Sequence, residues 1–475
     1  MREARYNTME RIELTKEKLH EILAESQNEE AMEKYYELAL KDRFVASSHG
    51  HITALLLTLV KYKFDKLFVS NKITPEYFLG LSTFNEKNEY WKFGELLERT
   101  FWEIAVWLIN DEKIPEKPLI EFSEIYAYYL FCIGDHFKCL KICNNALFRE
   151  PNSSLCNFIK ASLVDLCYIN KTPVPYKAAL INYQKKLIDK CNRAELEFDR
   201  SIYDAVYNEI DNKYRQIPDE LKKAMFTEAG NDFEETIKRI PQWTKEHDFY
   251  LRKNLLLNPL SNFDKFVEFY FEELEDLPIT KEYRGYFNSI VDDYKLCRSI
   301  AFAYYNGINN VGKREMAMVY SYAYSIFDKI AFLIKKVYDL DIDEDGIYFT
   351  NFGMFEKKIK NTDVKFKNIR NSNIVPLYRA MKKVRAKNKP ADALDIGTWK
   401  HYELRNTIEH KSLDLVEDGE LKRNTDFLLE TIRDTIMYTY MLLHGYLPNE
   451  DWSKSVFTGT TYIRAIKTLN EKEQG

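Results

Sequence analysis

REMAMVYSYAYSIFDKIAFLIKKVYDL, residues 314–340, sets the fold class of this chain. Val319, Tyr322, Ile326, Ile330, Leu333 and Val337 recur at steps of three and four, which predicts a long helix with one apolar stripe. Two more stretches carry the same signal. YFNSIVDDYKLCRSIAFAYYNGI (286–308) lies before it. TDFLLETIRDTIMYTYMLLHGYLP (425–448) lies after it, with Asn424, Thr425 and Asp426 as capping residues and a stop near Gly445 and Pro448. With a further helix around residues 403–411, these predict a bundle of four or five helices.

The rest of the chain reads the same way. Only 15 glycines and 13 prolines punctuate 475 residues, so long helices dominate and an all-α fold is expected. The length exceeds one ordinary core. Pro241, Pro259 and the polar residues between them break the helical pattern at residues 241–262, which divides the chain into 1–250 and 251–475.

Residues 9–45 predict an amphipathic helix pair broken near Ser26, Gln27 and Asn28, and similar pairs follow to about residue 250. The clearest is GDHFKCLKICNNALFREPNSS (134–154). Gly134 opens a turn between helices, Leu140 and Ala146 face inward, and Pro151 ends the second helix. That spacing of Gly, Ala and Pro resembles the second half of a tetratricopeptide repeat, with EIYAYYLFCI (124–133) as its first helix. Residues 30–44 and 175–190 echo it weakly. The resemblance implies a degenerate α-solenoid whose concave face holds a peptide, a protein or nucleic acid; an irregular helical domain is the alternative.

Composition narrows the function classes. The formal charge of −5 excludes a uniformly basic coat, so any polyanion site requires local clustering. The charged N-terminal stretch carries no apolar signal core, and no segment approaches the roughly 20 apolar residues of a membrane span. A cytoplasmic protein is expected, without membrane partners. Seven scattered cysteines fit reducing conditions. Cys139 and Cys143 lie one turn apart but lack a second ligand pair. DIDEDG (341–346) imitates the start of a calcium loop, yet position twelve is Phe352. No metal or cofactor is expected.

The candidate chemistry lies in HYELRNTIEHKSLDL, residues 401–415. An imidazole near neutrality exchanges protons, so His410 suits a general acid or base. Arg405 can clamp a phosphate and stabilise charge developing on it, and Asn406 can orient a phosphate oxygen or the imidazole. Together they suit cleavage of RNA by its own 2′-hydroxyl. On a straight helix Arg405 and His410 lie about 140° apart, so either the long guanidinium swings or two copies share a pocket. The bland reading is a solvated charged face.

The window 357–389 is dense in Lys and Arg with Asp363 as its one acid. Lys382, Lys383 and Arg385, with Lys411, are candidate RNA-binding residues, and Phe366 and Tyr378 can stack on unpaired bases. Glu409 is a supporting candidate. Asp328, beside Lys329 within an apolar helix, is either half of a buried ion pair supporting the pocket or an outward-pointing group. His444, beside Gly445, reads as a helix C-cap.

The R-N-x-x-E-H arrangement in a C-terminal helical bundle resembles the R-x4-6-H motif of the HEPN superfamily. LLLNPLSNF (255–263), AYSIFDKIAFLI (323–334) and ELRNTIEHKSLDL (403–415) resemble a subgroup often preceded by tetratricopeptide repeats. The resemblance covers roughly residues 251–447. It implies a HEPN bundle, a metal-independent endoribonuclease with Arg405 and His410 as its pair and Asn406 assisting, and a site built by a homodimer of the C-terminal domain. It also implies a toxin or effector role in bacterial anti-phage defence, governed by a protein or ligand trigger at the N-terminal repeats. HEPN toxins silenced by a nucleotidyltransferase carry Tyr two places after the His; here Ser412 stands there, and that pairing is not expected. The alternative function is a non-catalytic RNA- or nucleotide-binding adaptor with a protein-interaction solenoid.

Overall fold

The computed structural model describes residues 12–41, 44–46, 48–71, 89–109, 115–164, 174–196, 200–222, 280–305, 307, 311–338, 376–377, 380, 404, 407–408 and 413–444. These residues are helical apart from turns and one short ladder. Strand β1 (Ile12–Leu14) pairs in parallel with β2 (Phe44–Ala46), Ile12 opposite Phe44 and Leu14 opposite Ala46. The helix pair expected over residues 9–45 is present, and the ladder replaces helix only near its two ends. Between the strands lie α1 (Lys16–Ala24) and α2 (Glu29–Leu40), and Leu14 and Phe44 bury against the core instead of extending a helix.

Polar caps set the starts. The Thr15 hydroxyl accepts from the Lys18 amide at 3.2 Å, and Asn28 accepts from the Ala31 amide at 3.2 Å, so the expected break does fall at Asn28. Then come α3 (His49–Phe64), which continues into a π-helical turn at Asp65–Val69, and α4 (Glu89–Ile109). Lys63 of α3 is buried. It is held by Glu33 at 2.7 Å and Glu89 at 3.3 Å, with its ammonium 4.1 Å from the Tyr36 ring centroid, which ties α2, α3 and α4 together.

Next are α5 (Glu116–Cys132), α6 (His136–Arg149), α7 (Ser154–Leu163), α8 (Val174–Ile188) and α9 (Arg200–Arg215). Each packs on the next, and α5 also packs on α7, the neighbour-to-neighbour order that a helical array requires. The α5–α6 turn follows the sequence reading closely. Gly134 has φ 79°; its amide donates to the Phe131 carbonyl at 3.2 Å and the Asp135 amide to the Leu130 carbonyl at 2.9 Å, a Schellman closure. Leu140 and Ala146 are buried, and α6 ends at Arg149, two residues before Pro151. Cys139 and Cys143 are buried thiols, and Cys139 donates to the Ala127 carbonyl at 3.2 Å. The helices α4 and α5 approach closely at Gly94, where a Cβ would stand 2.1 Å from the Tyr129 hydroxyl.

In the C-terminal part, α10 (Lys281–Tyr305), α11 (Lys313–Tyr338) and α12 (Asp418–His444) pack pairwise into a three-helix core. Two details differ from the sequence reading. Tyr322 is 40% exposed, not on the buried stripe, because the stripe runs through Val319, Ala323, Ile326 and Ile330 and leaves Tyr322 at its edge. The helix α12 begins at Asp418, not at Asn424–Asp426. Thr425 is buried inside it, its hydroxyl donating to the Leu421 carbonyl at 2.8 Å.

One apolar core runs from Leu14 to Leu443, across the expected domain boundary. The N-terminal helices meet α12 where the Tyr438 hydroxyl donates to Asp135 Oδ1 at 2.6 Å and Lys141 pairs with Glu430 at 2.7 Å. Beside Asp135, burial pushes the His136 imidazole down from 6.5 to about 4, against the opposing pull of the Asp135 charge.

Gly94→Ala is expected to destabilise the chain by about 1–3 kcal/mol through overpacking, and Gly134→Ala by about 1 kcal/mol through its positive φ. Urea midpoints measured by circular dichroism check both; an unshifted Gly94→Ala midpoint contradicts the close approach. His136 adds a pH dependence. The unfolded imidazole binds a proton below 6.5, whereas the folded one binds only near 4. Its contribution is flat above 6.5, and stability falls by about 1.4 kcal/mol per unit as pH drops from 6.5 toward 4. The His136→Asn variant should lose less stability than the wild type between pH 7 and pH 5, measured by the same midpoints.

Candidate functional site

Around the 401–415 stretch the structure describes the anchors. Leu404 is helical and 2% exposed; Thr407 and Ile408 are helical, and Ile408 packs against the core. Leu404 and Ile408 are four apart, so one apolar edge of the stretch docks on the bundle. Arg405, Asn406, Glu409, His410, Lys411 and Ser412 lie outside the described residues. So do Asp363, Phe366, Tyr378, Lys382, Lys383, Arg385 and the 341–352 segment. Within the basic window, just before Lys382, Leu377 and Ala380 are helical and buried, which seats that part of it against the core.

The exit from the stretch is fixed in detail. A 3-10 turn at Leu413–Leu415 leads to buried Val416, whose amide donates to the Leu413 carbonyl at 3.1 Å, and α12 starts two residues later. Two consecutive tyrosines on the last turn of α10 hold that start. Tyr304 hydrogen-bonds the Asp418 carboxylate. The Tyr305 hydroxyl lies 2.9 Å from the Lys422 carbonyl and 2.5 Å from Asp426 Oδ1. The Lys422 ammonium sits 5.3 and 5.6 Å from the two ring centroids and 3.4 Å from Asp418.

The electrostatics agree with this geometry. The Tyr304 hydroxyl and then Lys422 hold Asp418 below the ordinary carboxylate range, despite the opposing effect of burial. Burial, followed by the Asp426 carboxylate, pushes the Tyr305 hydroxyl far above its ordinary value. It therefore stays protonated and remains a donor.

Asp328 is half-buried, and its neighbour Lys329 reaches back to Asp293 of α10, which also accepts from Tyr322 at 2.6 Å. Sequence reasoning found the charged pair within the apolar helix but not the partner 36 residues upstream. The tyrosine pair was missed too; its only sequence signal is YY at a predicted helix end. Among the described residues, no group of three or more His, Cys, Asp or Glu is placed to hold a metal, and no helix is long and apolar enough to cross a membrane.

Tyr305→Phe is expected to destabilise the chain by about 1–3 kcal/mol by removing a hydrogen bond to a charged acceptor, and Tyr304→Phe by less, because its bond is exposed. Chemical denaturation of the two variants checks the order; equal, negligible shifts would remove the clamp from the account.

Searches among curated proteins and solved structures found no match to the chain. A family model described as LA2681-like HEPN matches residues 275–444, which contain α10, α11, the Arg405–His410 stretch and α12, and the match supports a HEPN domain in this C-terminal part.

Proposed function

We propose that the chain is a HEPN-type endoribonuclease that cleaves RNA without a metal, through attack of the 2′-hydroxyl. One observation carries this reading: the matched HEPN region, 275–444, encloses the R-N-x-x-E-H motif. The 2′-oxygen attacks phosphorus and the bond from phosphorus to the 5′-oxygen breaks. His410 handles the proton that leaves the 2′-hydroxyl or the one that the 5′-oxygen takes up. Arg405 stabilises the charge that builds on the phosphoryl oxygens, and Asn406 orients. The products are a 2′,3′-cyclic phosphate and a 5′-hydroxyl, and DNA is spared because it lacks the nucleophile. Lys382, Lys383, Arg385 and Lys411 hold the backbone.

In this reading two copies of the C-terminal domain build the active pockets. The N-terminal helices form a tetratricopeptide-like array that senses a protein or ligand trigger or holds the nuclease inactive. The cellular role is a cytoplasmic toxin or effector in anti-phage defence. Leu404, Ile408 and the clamped start of α12 support the reading by anchoring both ends of the motif stretch to the bundle.

Purified protein incubated with total RNA in EDTA is expected to yield fragments with 2′,3′-cyclic phosphate ends. His410→Ala should reduce the rate by at least about 100-fold, in line with loss of a general acid or base. RNA unchanged in every tested state, with the trigger or partner included, favours the adaptor instead.

A further inference from the structure

The N-terminal helices touch α12 through a seam that neither the motif nor the family match accounts for. Asp135 occupies the N-cap position of α6, where an Asp side chain commonly accepts from the first turn's amides. Here it makes no such cap. Its Oδ1 instead accepts from Tyr438, 303 residues away, at 2.6 Å. Both residues are buried, Asp135 at 6% and Tyr438 at 2% exposure. Separating two buried, hydrogen-bonded groups costs free energy, because the bond is given up where water does not readily replace it.

The contact extends beyond one bond. Going from Asp135 to Lys141 along α6 corresponds to going from Tyr438 back to Glu430 along α12, so the two helices run antiparallel here. Glu430, Asp434 and Tyr438 are spaced by four and form one stripe on α12. Arg433 is buried and braces that stripe from its own helix, bonding Asp434 at 2.6 Å and lying 3.8 Å from Glu430. Lys141 answers Glu430 from α6. The seam thus has a buried hydrogen-bonded end and an exposed ion-paired end.

We infer that this seam is the element through which the N-terminal helices set the state of the C-terminal bundle. The helix α12 is the lever: its outer stripe is held by α6, its inner faces pack on α10 and α11, and its start follows the motif stretch directly. Anything that displaces α6 must break the Asp135–Tyr438 bond or drag α12. The coupling itself is independent of RNA cleavage; that it regulates cleavage rests on the nuclease reading.

The test uses the full chain and hydrogen–deuterium exchange. Lys141→Glu, at the exposed end, is expected to accelerate exchange of α12 amides near residues 428–440 by about tenfold, a sub-global opening. Glu430→Lys should do the same to α6, as reciprocity of coupling requires. The double variant carrying both changes restores the opposite-charge pair across the seam, though not the Arg433–Glu430 contact within α12, so both helices should exchange more slowly than the two single effects combined predict. Asp135→Asn keeps an acceptor and should perturb less than Asp135→Ala. Exchange changes confined to the substituted helix, or a double variant no better than the sum of the singles, would overturn the inference. Cleavage assays need not succeed for either outcome to be read.

Discussion

The C-terminal bundle depends on covering α11 (Lys313–Tyr338). Its apolar surface is too broad to be met by one neighbour: Ala317 and Tyr324 on one side and Ile326 and Leu333 on the other are all buried, and they cannot share one narrow stripe. Both α10 and α12 therefore pack on it and on each other. Tyr338, near the end of α11, donates to the Leu442 carbonyl at 3.2 Å, and the Phe287 and Tyr440 rings meet at 6.3 Å across α10 and α12. Truncating one such buried aliphatic side chain to Ala typically costs about 2–5 kcal/mol, a large part of a domain's net stability. The position of α12 follows from that burial. The clamp at its start and the α6 seam then act on a helix that is already placed.

Sequence reasoning works where the controlling physics is local. Gly134 reads as a turn between helices, and its φ of 79° lies in the left-handed region that favours glycine. The break expected near Ser26, Gln27 and Asn28 falls where Asn28 caps α2. The apolar period of three and four found α10, α11 and most of α12. Reading stops where the partner is distant. Thr425 and Asp426 look like caps in isolation, but the bundle buries Thr425 and gives Asp426 to Tyr305, so the helix runs through them. The pairing of β1 with β2 joins segments 32 residues apart, and three-residue strands carry too little alternation to be recognised. Tyr322 fits the period as well as Ile326 does; only Asp293 on the neighbouring helix explains why its hydroxyl turns outward. For the candidate site, motif spacing named Arg405, Asn406 and His410, while the anchors around them emerged only from packing.

Tyrosine is where local and distant readings diverge most. The chain holds 33 tyrosines, and a periodicity argument counts each as a core aromatic. In the fold, several are also cross-links between helices and carboxylates. Tyr35 reaches Glu25 at 2.7 Å, Tyr62 reaches Glu33 at 3.1 Å and Tyr322 reaches Asp293 at 2.6 Å. Tyr304 and Tyr305 reach Asp418 and Asp426, and Tyr438 reaches Asp135. The ring buries as an apolar body while the hydroxyl extends to a charged acceptor at the margin. Few side-chain rotations need freezing, and hydrogen bonds to charged groups contribute about 1.5–3 kcal/mol, against about 0–1 kcal/mol for an exposed lysine–carboxylate pair.

That difference orders the contacts by their structural importance. Lys18–Glu21 and Lys222–Asp219 lie within single turns at the surface and can be lost without moving a helix. The tyrosine–carboxylate bonds join separate elements, and two of the three that reach α12 come from α10 and meet it just after the motif stretch ends. The third comes from α6. A hydroxyl that stays protonated throughout the physiological range keeps donating, so these links do not titrate away as the tyrosines' surroundings change. The carboxylate is the member that can be neutralised. At Asp418, where a hydroxyl and an ammonium both favour the charged form, that neutralisation is pushed to lower pH, and the start of α12 is held where the candidate RNA-cleaving stretch meets it.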